Sequence, residues 1–353
     1  MVAIEASASR ELNSLFMKAG IIGYGLAGRY FHGPTLLAAG FHVTAICARS
    51  LEKKAAAQQD FPNAVIVNSV DELIAEDLDL IVVATPNEFH SEHALASIRA
   101  GINTVVDKPM GRDYYETLSL YDAADQSGVL LTVFFNRLWD SDSLTIKKII
   151  EQGDIGNIFR LESRFERFRP EINPLAWRES ASLEAGGGLL LDLQSHLIST
   201  ALDWFGPAEL VFSSVRNVRG SSDDDVLLVL KHDNGVDSYL SASAISGMPG
   251  PKIRLNGDKA SLVITDLDKQ EENLRKGFRA IAGQWIDGAE ITSSAKIYKG
   301  SDSYSYQGEP GFYPAFYNEV RLAIEYGGEL TVNRELILNV ARIIDQARQI
   351  SIR

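Results

Sequence analysis

The sequence predicts an α/β chain in two parts, a doubly wound parallel sheet followed by an α/β domain whose sheet is mostly antiparallel. Three observations carry this. From Lys18 onward, short and nearly continuous apolar segments alternate with amphipathic segments of helical length, the pattern of parallel strands covered on both faces. A glycine fingerprint stands at the first strand-to-helix junction. Beyond about Asn136 the strands lengthen and alternate apolar with polar residues, as in a sheet with one face against helices.

Taken in order, the first part has strands at Gly20–Gly23, Val43–Cys47, Ala64–Val67, Leu80–Ala84, Thr104–Val106 and Leu130–Phe134. Helices are expected at Gly28–Ala39, Leu51–Asp60, Glu88–Ala100 and Tyr114–Gln126. The second part opens with a helix from Asp142 to Gln152 and a strand from Ile158 to Phe168, then a loop rich in proline and arginine, RPEINPLAWRES. The triplet Gly186–Gly188 introduces an apolar helix that runs to about Phe205. Strands near Ala208–Val218, Val226–His232, Gly235–Ala244, Lys252–Asn256 and Ala260–Thr265 follow, and helices at Pro314–Glu325 and Arg334–Ile350 close the chain. Residues 1–16 carry Glu5 and Glu11 and lack the positive start and compact apolar core of a signal peptide, so they are read as an extension. The division expected is thus 1–16, 17–136 for the parallel domain, and 137–353 for the second. The acidic triplet Asp223–Asp225 is expected to be a solvated turn.

Composition sets outer limits. The 353 residues are 45% hydrophobic and 23% charged, ordinary values for a globular chain of about two domains. A net charge of −13 repels phosphate backbones and anionic membrane surfaces, which speaks against nucleic acid and membrane partners. The single cysteine, Cys47, permits neither an internal disulfide nor a cysteine-based zinc cluster. No apolar run approaches the roughly 20 residues of a membrane span, and a reducing cytoplasm is the expected location.

The fingerprint Gly23-Tyr24-Gly25-Leu26-Ala27-Gly28 follows a strand and opens a helix. In that context Gly23 allows the tight turn, Gly25 lets the backbone approach a pyrophosphate, and Gly28 allows close helix–strand packing, with the helix N-terminus presenting free N–H groups. A nicotinamide dinucleotide is therefore the expected cofactor. Where an NAD site usually has a carboxylate, at the end of the second strand, this chain reads Cys47-Ala48-Arg49-Ser50. A guanidinium beside a hydroxyl suits a 2′-phosphate, so NADP is expected ahead of NAD; the competing reading makes Arg49 an ordinary solvated turn residue.

Other polar residues gather at strand ends. Ala84-Thr85-Pro86-Asn87 ends the fourth strand and Asp107-Lys108-Pro109 the fifth, the edge of such a sheet where ligands bind. The strand-end position and the following proline favour a Lys108 ammonium over the redox end of the cofactor, ahead of the competing reading as an ordinary surface ammonium, and a cis Lys108–Pro109 bond is allowed. In the helix after the glycine triplet, Asp192 and His196 are four residues apart and so share one face. An imidazole with a neighbouring carboxylate can exchange a proton near neutral pH. The alternative is a buried helix histidine bonded to the acid four residues back. A metal site is not expected, because no third ligand accompanies this pair.

The segments GIIGYGLAG, ATPNEFHSEHALASIRAG, DKP, FFNRLWDSDSLTIKKII, NPLAWRE, GGGLLLDLQSH and GFYPAFYNEV together resemble the Gfo/Idh/MocA family of sugar and polyol dehydrogenases, from Lys18 to the C-terminus. The Arg-containing second turn and NRLWDSD are most similar to its NADP-dependent scyllo-inositol dehydrogenase branch. The resemblance implies a Rossmann domain, a second domain with a large open sheet that usually mediates a homodimer or homotetramer, and a polyol or sugar substrate. Carried over residue by residue, it implies Lys108, Asp192 and His196 as the catalytic set, and Thr85, Pro86, Asn87, His90, Asp107 and Asn136 beside the cofactor. Asp107 stands where glutamate is commoner, and Gln194 where many relatives have glycine. Trp177, Arg178 and His32 are weaker candidates for substrate contact: Arg178 would equally pair with Glu179 or Glu184, and His32 would equally be a satisfied buried histidine. Arg137 and Asp140 are read as pins at the domain junction, Tyr313 and Tyr317 as packing. Outside enzymes, the competing class is a nucleotide sensor, which has no need of Lys108, Asp192 and His196 together.

Overall fold

Six parallel strands make the first sheet, in the order β3 (Val65–Val67), β2 (His42–Cys47), β1 (Lys18–Ile22), β4 (Leu80–Val83), β5 (Asn103–Val106) and β6 (Leu131–Val133). This computed structural model describes residues 17–173, 179, 181, 186–220, 222–281, 284–285 and 292–351. The central β4, Leu-Ile-Val-Val, is buried along its whole length, as a strand covered on both faces must be. Helices do the covering: α1 (Gly33–Ala38), α2 (Leu51–Asp60), α3 (Val70–Ile74), α4 (His90–Arg99) and α5 (Tyr114–Ser127). Their starts are capped as their sequences dictate, with Ser50, Ser69 and Asp113 accepting the backbone N–H of Lys53, Glu72 and Glu116 at 3.3, 3.1 and 2.8 Å. Strand order reverses between β1 and β4, which opens a crevice at their carboxyl ends.

The second sheet has eight strands in the order β16 (Asp302–Tyr306), β15 (Ala295–Lys299), β12 (Ser261–Ile264), β11 (Ile253–Gly257), β7 (Ile158–Glu166), β10 (Asp237–Ser243), β9 (Asp225–His232) and β8 (Ala208–Arg216). Only β7 and β10 run parallel; the other neighbours are antiparallel. Helices α6 (Ser141–Gln152), α7 (Leu189–Asp192), α8 (Gln194–Phe205), α9 (Gln270–Arg275) and α10 (Pro314–Tyr326) accompany it, with a small hairpin of β13 (Ala280–Ile281) and β14 (Gln284–Trp285). Gln194, buried, ties α8 to the sheet by donating from Nε2 to the carbonyls of Leu240 and Val226 at 2.9 and 3.2 Å.

The closing helix α11 (Arg334–Ser351) packs on both units. Asp345 accepts the Tyr114 N–H at 2.8 Å and Arg348 donates to the Arg112 carbonyl at 2.7 Å, while Ser213 of β8 donates to the Ala347 carbonyl at 3.1 Å. Near the junction, Tyr313, Phe316 and Tyr317 are buried among Phe134, Trp139 and Phe41. Packing was the expected role of both tyrosines, and each also satisfies its hydroxyl, Tyr313 on Asp140 at 2.7 Å and Tyr317 with His32 at 2.6 Å.

Four features differ from expectation. The helix after the fingerprint begins as a π-helical turn, Gly28–His32, before α1. Helices α3 and α9 and the β15–β16 hairpin had no clear sequence signal. The expected helix from the glycine triplet to Phe205 is interrupted at Leu193. The acidic turn is not solvated: Asp223 and Asp224 are buried, Asp223 against the start of α7 and Asp224 against Arg219. Residues 1–16, Trp177 and Arg178 lie outside the described residues.

Candidate active site

The crevice at the end of β1 and β4 is floored by the fingerprint. Gly23 has φ of +96°, a conformation costly to residues with a Cβ, and a Cβ there would stand 2.7 Å from the Ala84 carbonyl oxygen. A Cβ at Gly28 would stand 2.2 Å from the Gly23 carbonyl oxygen, whereas one at Gly25 would meet nothing within 4 Å. The fold itself therefore needs Gly23 and Gly28, and leaves Gly25 as open space over which a ligand backbone can settle. That is the cradle a dinucleotide pyrophosphate fits. Tyr24 and Arg29 flank it, both on Asp60, at 2.9 and 2.7 Å. Burial, with the Asp60 hydrogen bond, raises the Tyr24 phenol well above its ordinary value. Leu26 is exposed and Ala27 partly so.

At the end of β2, Ala48 is buried while Arg49 and Ser50 are exposed. The Ser50 hydroxyl already caps α2, leaving its O–H free to donate. At the end of β4, Thr85 and Pro86 lead into a 3₁₀ turn, Asn87–Phe89. Asn87 is buried and donates to the Gly186 carbonyl at 2.9 Å, so it joins this edge to the glycine triplet before α7. His90 is fully buried, and its ring nitrogens face the Pro109 and Thr85 carbonyl oxygens at 2.7 and 2.8 Å. It fixes the ends of β4 and β5 relative to one another, and its effect on a cofactor is exerted through them. Asn136 is buried in the 3₁₀ turn after β6.

Asp107 and Lys108 end β5, and the Lys108–Pro109 peptide is cis. Asp107 accepts the Lys108 N–H at 2.9 Å and lies 3.8 Å from His32 Nε2. Burial opposes its ionisation, but the nearby His32 ring, with Lys108 and His90 behind it, holds the carboxyl well below the usual range. His32 has no exposed surface, with Nδ1 on Tyr317 and its ring against Phe134. Its Nε2 is buried without a hydrogen-bond partner among the described residues and faces Asp107 at 3.8 Å, so the ring is set to act on Asp107.

Lys108 reaches across to the second unit. Its Nζ lies 2.6 Å from Asp192 Oδ1 and 2.6 Å from the Asp192 main-chain oxygen. The interruption at Leu193 makes the second contact possible. His196 N bonds back to Leu193 O at 3.2 Å, so the Asp192 carbonyl, which a continuous helix would give to residue 196, accepts the ammonium instead. His196 is almost buried, edge-on to Phe165 with ring centres 6.4 Å apart. Phe165 is held in turn by Arg137 and Lys252 at 5.4 and 5.5 Å from its ring centre. Those two cations share the buried Asp140, at 3.2 and 3.4 Å, which makes Arg137 and Asp140 a joint between α6, β11 and α10.

A helix starting after the glycine triplet was expected, and α7 begins there at Leu189; the partner that closes its start was invisible in the sequence. Asp223 accepts the Leu190 N–H at 2.6 Å, and its carbonyl accepts that of Leu189 at 3.0 Å. Gly188, at φ +95°, gives it room: a Cβ there would stand 2.0 Å from Asp223 Oδ1. Burial pushes the Asp223 carboxyl up to about 6 against these hydrogen bonds. No group of three or more potential metal ligands occurs among the described residues, and no helix there is long and apolar enough to cross a membrane.

A parallel sheet in this order with its fingerprint cradle defines a dinucleotide-binding α/β protein, and the strand-end lysine meeting an acid of the second unit, with a histidine one turn further along that segment, fits an oxidoreductase-type cleft. Comparison with known proteins agrees. Residues 17–135 match the oxidoreductase family NAD-binding Rossmann fold, and residues 143–263 match the Gfo/Idh/MocA C-terminal domain. The chain belongs to the Gfo/Idh/MocA oxidoreductase family and is an enzyme of that class. It is 34% identical to scyllo-inositol 2-dehydrogenase (NADP(+)) IolW of Bacillus subtilis, over 95% of this chain and 94% of that one. It is 26% identical to 1,5-anhydro-D-fructose reductase of Ensifer adhaerens, over 69% and 74%. The solved structure of YvaA from Bacillus subtilis superposes with a TM-score of 0.83 at 32% identity, covering 95% of this chain and 97% of that one.

Proposed function

We propose that the chain is an NADP(H)-dependent oxidoreductase that moves a hydride between the nicotinamide and a secondary alcohol or ketone of a cyclic polyol or sugar, with scyllo-inositol and its inosose as first candidates. The observation that carries this is the Lys108 ammonium, fixed on Asp192 at 2.6 Å at the carboxyl end of β5 with His196 on the next turn. A bound nicotinamide supplies the hydride acceptor or donor. The protein's own part is the proton and the charge. In the oxidising direction His196 takes the proton from the substrate hydroxyl, and Lys108 stabilises the developing alkoxide through a charge-assisted hydrogen bond. Asp192 holds Lys108 in place, and its place one turn before His196 also suits it to orient that ring.

NADP is favoured by Arg49, exposed at the end of β2 with no carboxylate on that turn before Glu52, and the similar IolW is named for NADP(+). Other sugar ketones stay within the class, since another relative is named a 1,5-anhydro-D-fructose reductase. We place the domain division near Asn136, with α11 packed on both sides of it, and a cytoplasmic address on the lone buried Cys47. Phe159, Val211, Phe212, Tyr298 and Tyr304 are exposed on strands of the second sheet, which supports a homodimer or homotetramer through that sheet. The deciding experiment is NADPH consumption by the purified chain against a panel of inososes and ketoses. Turnover of inososes above other ketones is expected; no NADPH oxidation with any member would overturn the reading.

A further inference from the structure

Within electrostatic reach of Asp192 lies a guanidinium that makes no ion pair among the described residues. Along β7, Leu161, Ser163 and Phe165 point to the helix side of the sheet, with Leu161 and Ser163 buried and Phe165 against His196. Arg167 follows two residues later, and the two-residue period of a strand puts it on the same side. Its backbone is fixed from both flanks, donating to the Ser243 carbonyl at 2.9 Å and accepting from the Ser246 N–H at 3.0 Å. The side chain is partly buried and within electrostatic reach of Asp192.

The neighbouring charges are already matched. Lys108 has Asp192 at 2.6 Å, Arg219 has Asp224 at 3.0 Å and Glu179 at 3.2 Å, and Arg169 has Glu179 at 3.7 Å. Arg167 makes no ion pair among the described residues, and its Nε is buried without a hydrogen-bond partner there. Burial and the adjacent Arg169 guanidinium both work against its charge. A buried N–H on a cation is costly when left unmade, and a guanidinium edge presents two parallel donors that fit a planar anion.

We propose that Arg167 is a specificity residue that receives a carboxylate on the substrate, so that acidic sugars or polyols are preferred over neutral ones of the same ring. This rests on the oxidoreductase reading above and narrows it. A neutral inositol offers Arg167 hydroxyls only, whereas a uronate supplies the missing negative charge next to the reacting centre. A phosphate monoester carries the same anionic oxygen chemistry and is kept as a separate arm of the test.

The test uses the full chain with NADP⁺ and compares glucuronate, glucose 6-phosphate, glucose and scyllo-inositol, in the wild type and in Arg167→Ala and Arg167→Gln. A hydrogen-bonded charge pair predicts that wild-type kcat/KM for glucuronate exceeds that for glucose by at least about tenfold, and that either variant erases this advantage through KM. The neutral substrates should stay within about threefold, the size of effect expected from a group they do not need. Advantage for glucose 6-phosphate alone assigns the site to phosphate. Equal effects of the variants on acidic and neutral substrates, or no wild-type preference for either anion, overturn the proposal. Should nothing be turned over, the enzymatic reading fails separately. Glucuronate binding to the NADP-loaded chain by calorimetry then decides: weakening of about tenfold in both variants supports the Arg167 site, and unchanged or absent wild-type binding rejects it.

Discussion

Lys108 and Asp192 are bound to each other twice, the ammonium touching both the side-chain and the main-chain oxygen of one residue at 2.6 Å. The two residues come from different units, so this contact also sets how the second sheet sits over the cofactor crevice. Removing either partner leaves the other charge partly buried and uncompensated, which is costly. Lys108→Ala is expected to lower kcat by roughly 10²–10⁴, the usual cost of losing a positioned proton or charge-stabilising group. Dinucleotide binding, read by NADPH fluorescence, should persist, because the fingerprint is untouched. Near-normal kcat would remove Lys108 from the reaction.

The three fingerprint glycines should separate by experiment. Gly28→Ala drives a Cβ to 2.2 Å from the Gly23 carbonyl oxygen, and overpacking of this kind costs about 1–3 kcal/mol, visible as a lower Tm. Gly25→Ala meets only open space, so Tm should hold while NADPH affinity falls. Equal affinity in Gly25→Ala would argue against a pyrophosphate at this position.

Cofactor choice is expected to turn on one exposed side chain. Arg49→Asp replaces a phosphate-binding fork with a carboxylate suited to a ribose 2′-hydroxyl, so the ratio of kcat/KM for NADPH over NADH should drop by about tenfold or more, as loss of a charged hydrogen bond predicts. An unchanged ratio would return Arg49 to the solvated turn.

Asp223 gives a pH dependence with a definite sign. Its carboxyl titrates near about 6 in the folded chain and near about 3.9 in an unfolded one. The folded state therefore holds the proton more tightly, and the stability this provides is full below about pH 4 and lost as the pH rises through about 6. Asp223→Asn keeps the acceptor for Leu190 and cannot ionise. Relative to the wild type, the variant should gain up to about 3 kcal/mol in unfolding free energy between pH 4 and pH 8, from a shift of about two units. Urea unfolding at several pH values measures this, and a constant difference would exclude it.

Periodicity made the first sheet readable, because a parallel strand buried on both faces has to be apolar throughout, as Leu80–Val83 is. The fingerprint and the strand-end residues were likewise local patterns. The second unit was less legible. Helix α9 has six residues and α3 five, too short to show a period. The Asp223–Asp225 run has the composition of a turn, and nothing local reveals that Asp223 closes the start of a helix thirty-odd residues earlier in the chain. Gln194 gave no hint of its target, since its partners are carbonyls of β9 and β10.

The sequence by itself determined the doubly wound sheet, the cradle at Gly23–Gly28, the strand-end place of Lys108 and the shared helix face of Asp192 and His196, because each follows from residue type and short-range spacing. Only the tertiary structure decided how these residues are wired. A break at Leu193 turns the Asp192 carbonyl outward to Lys108, full burial makes His32 and His90 supports, and the Arg167 Nε is buried without a hydrogen-bond partner among the described residues. Spacing along a chain states which side chains share a face; which of their charges are satisfied depends on what the rest of the fold brings against that face.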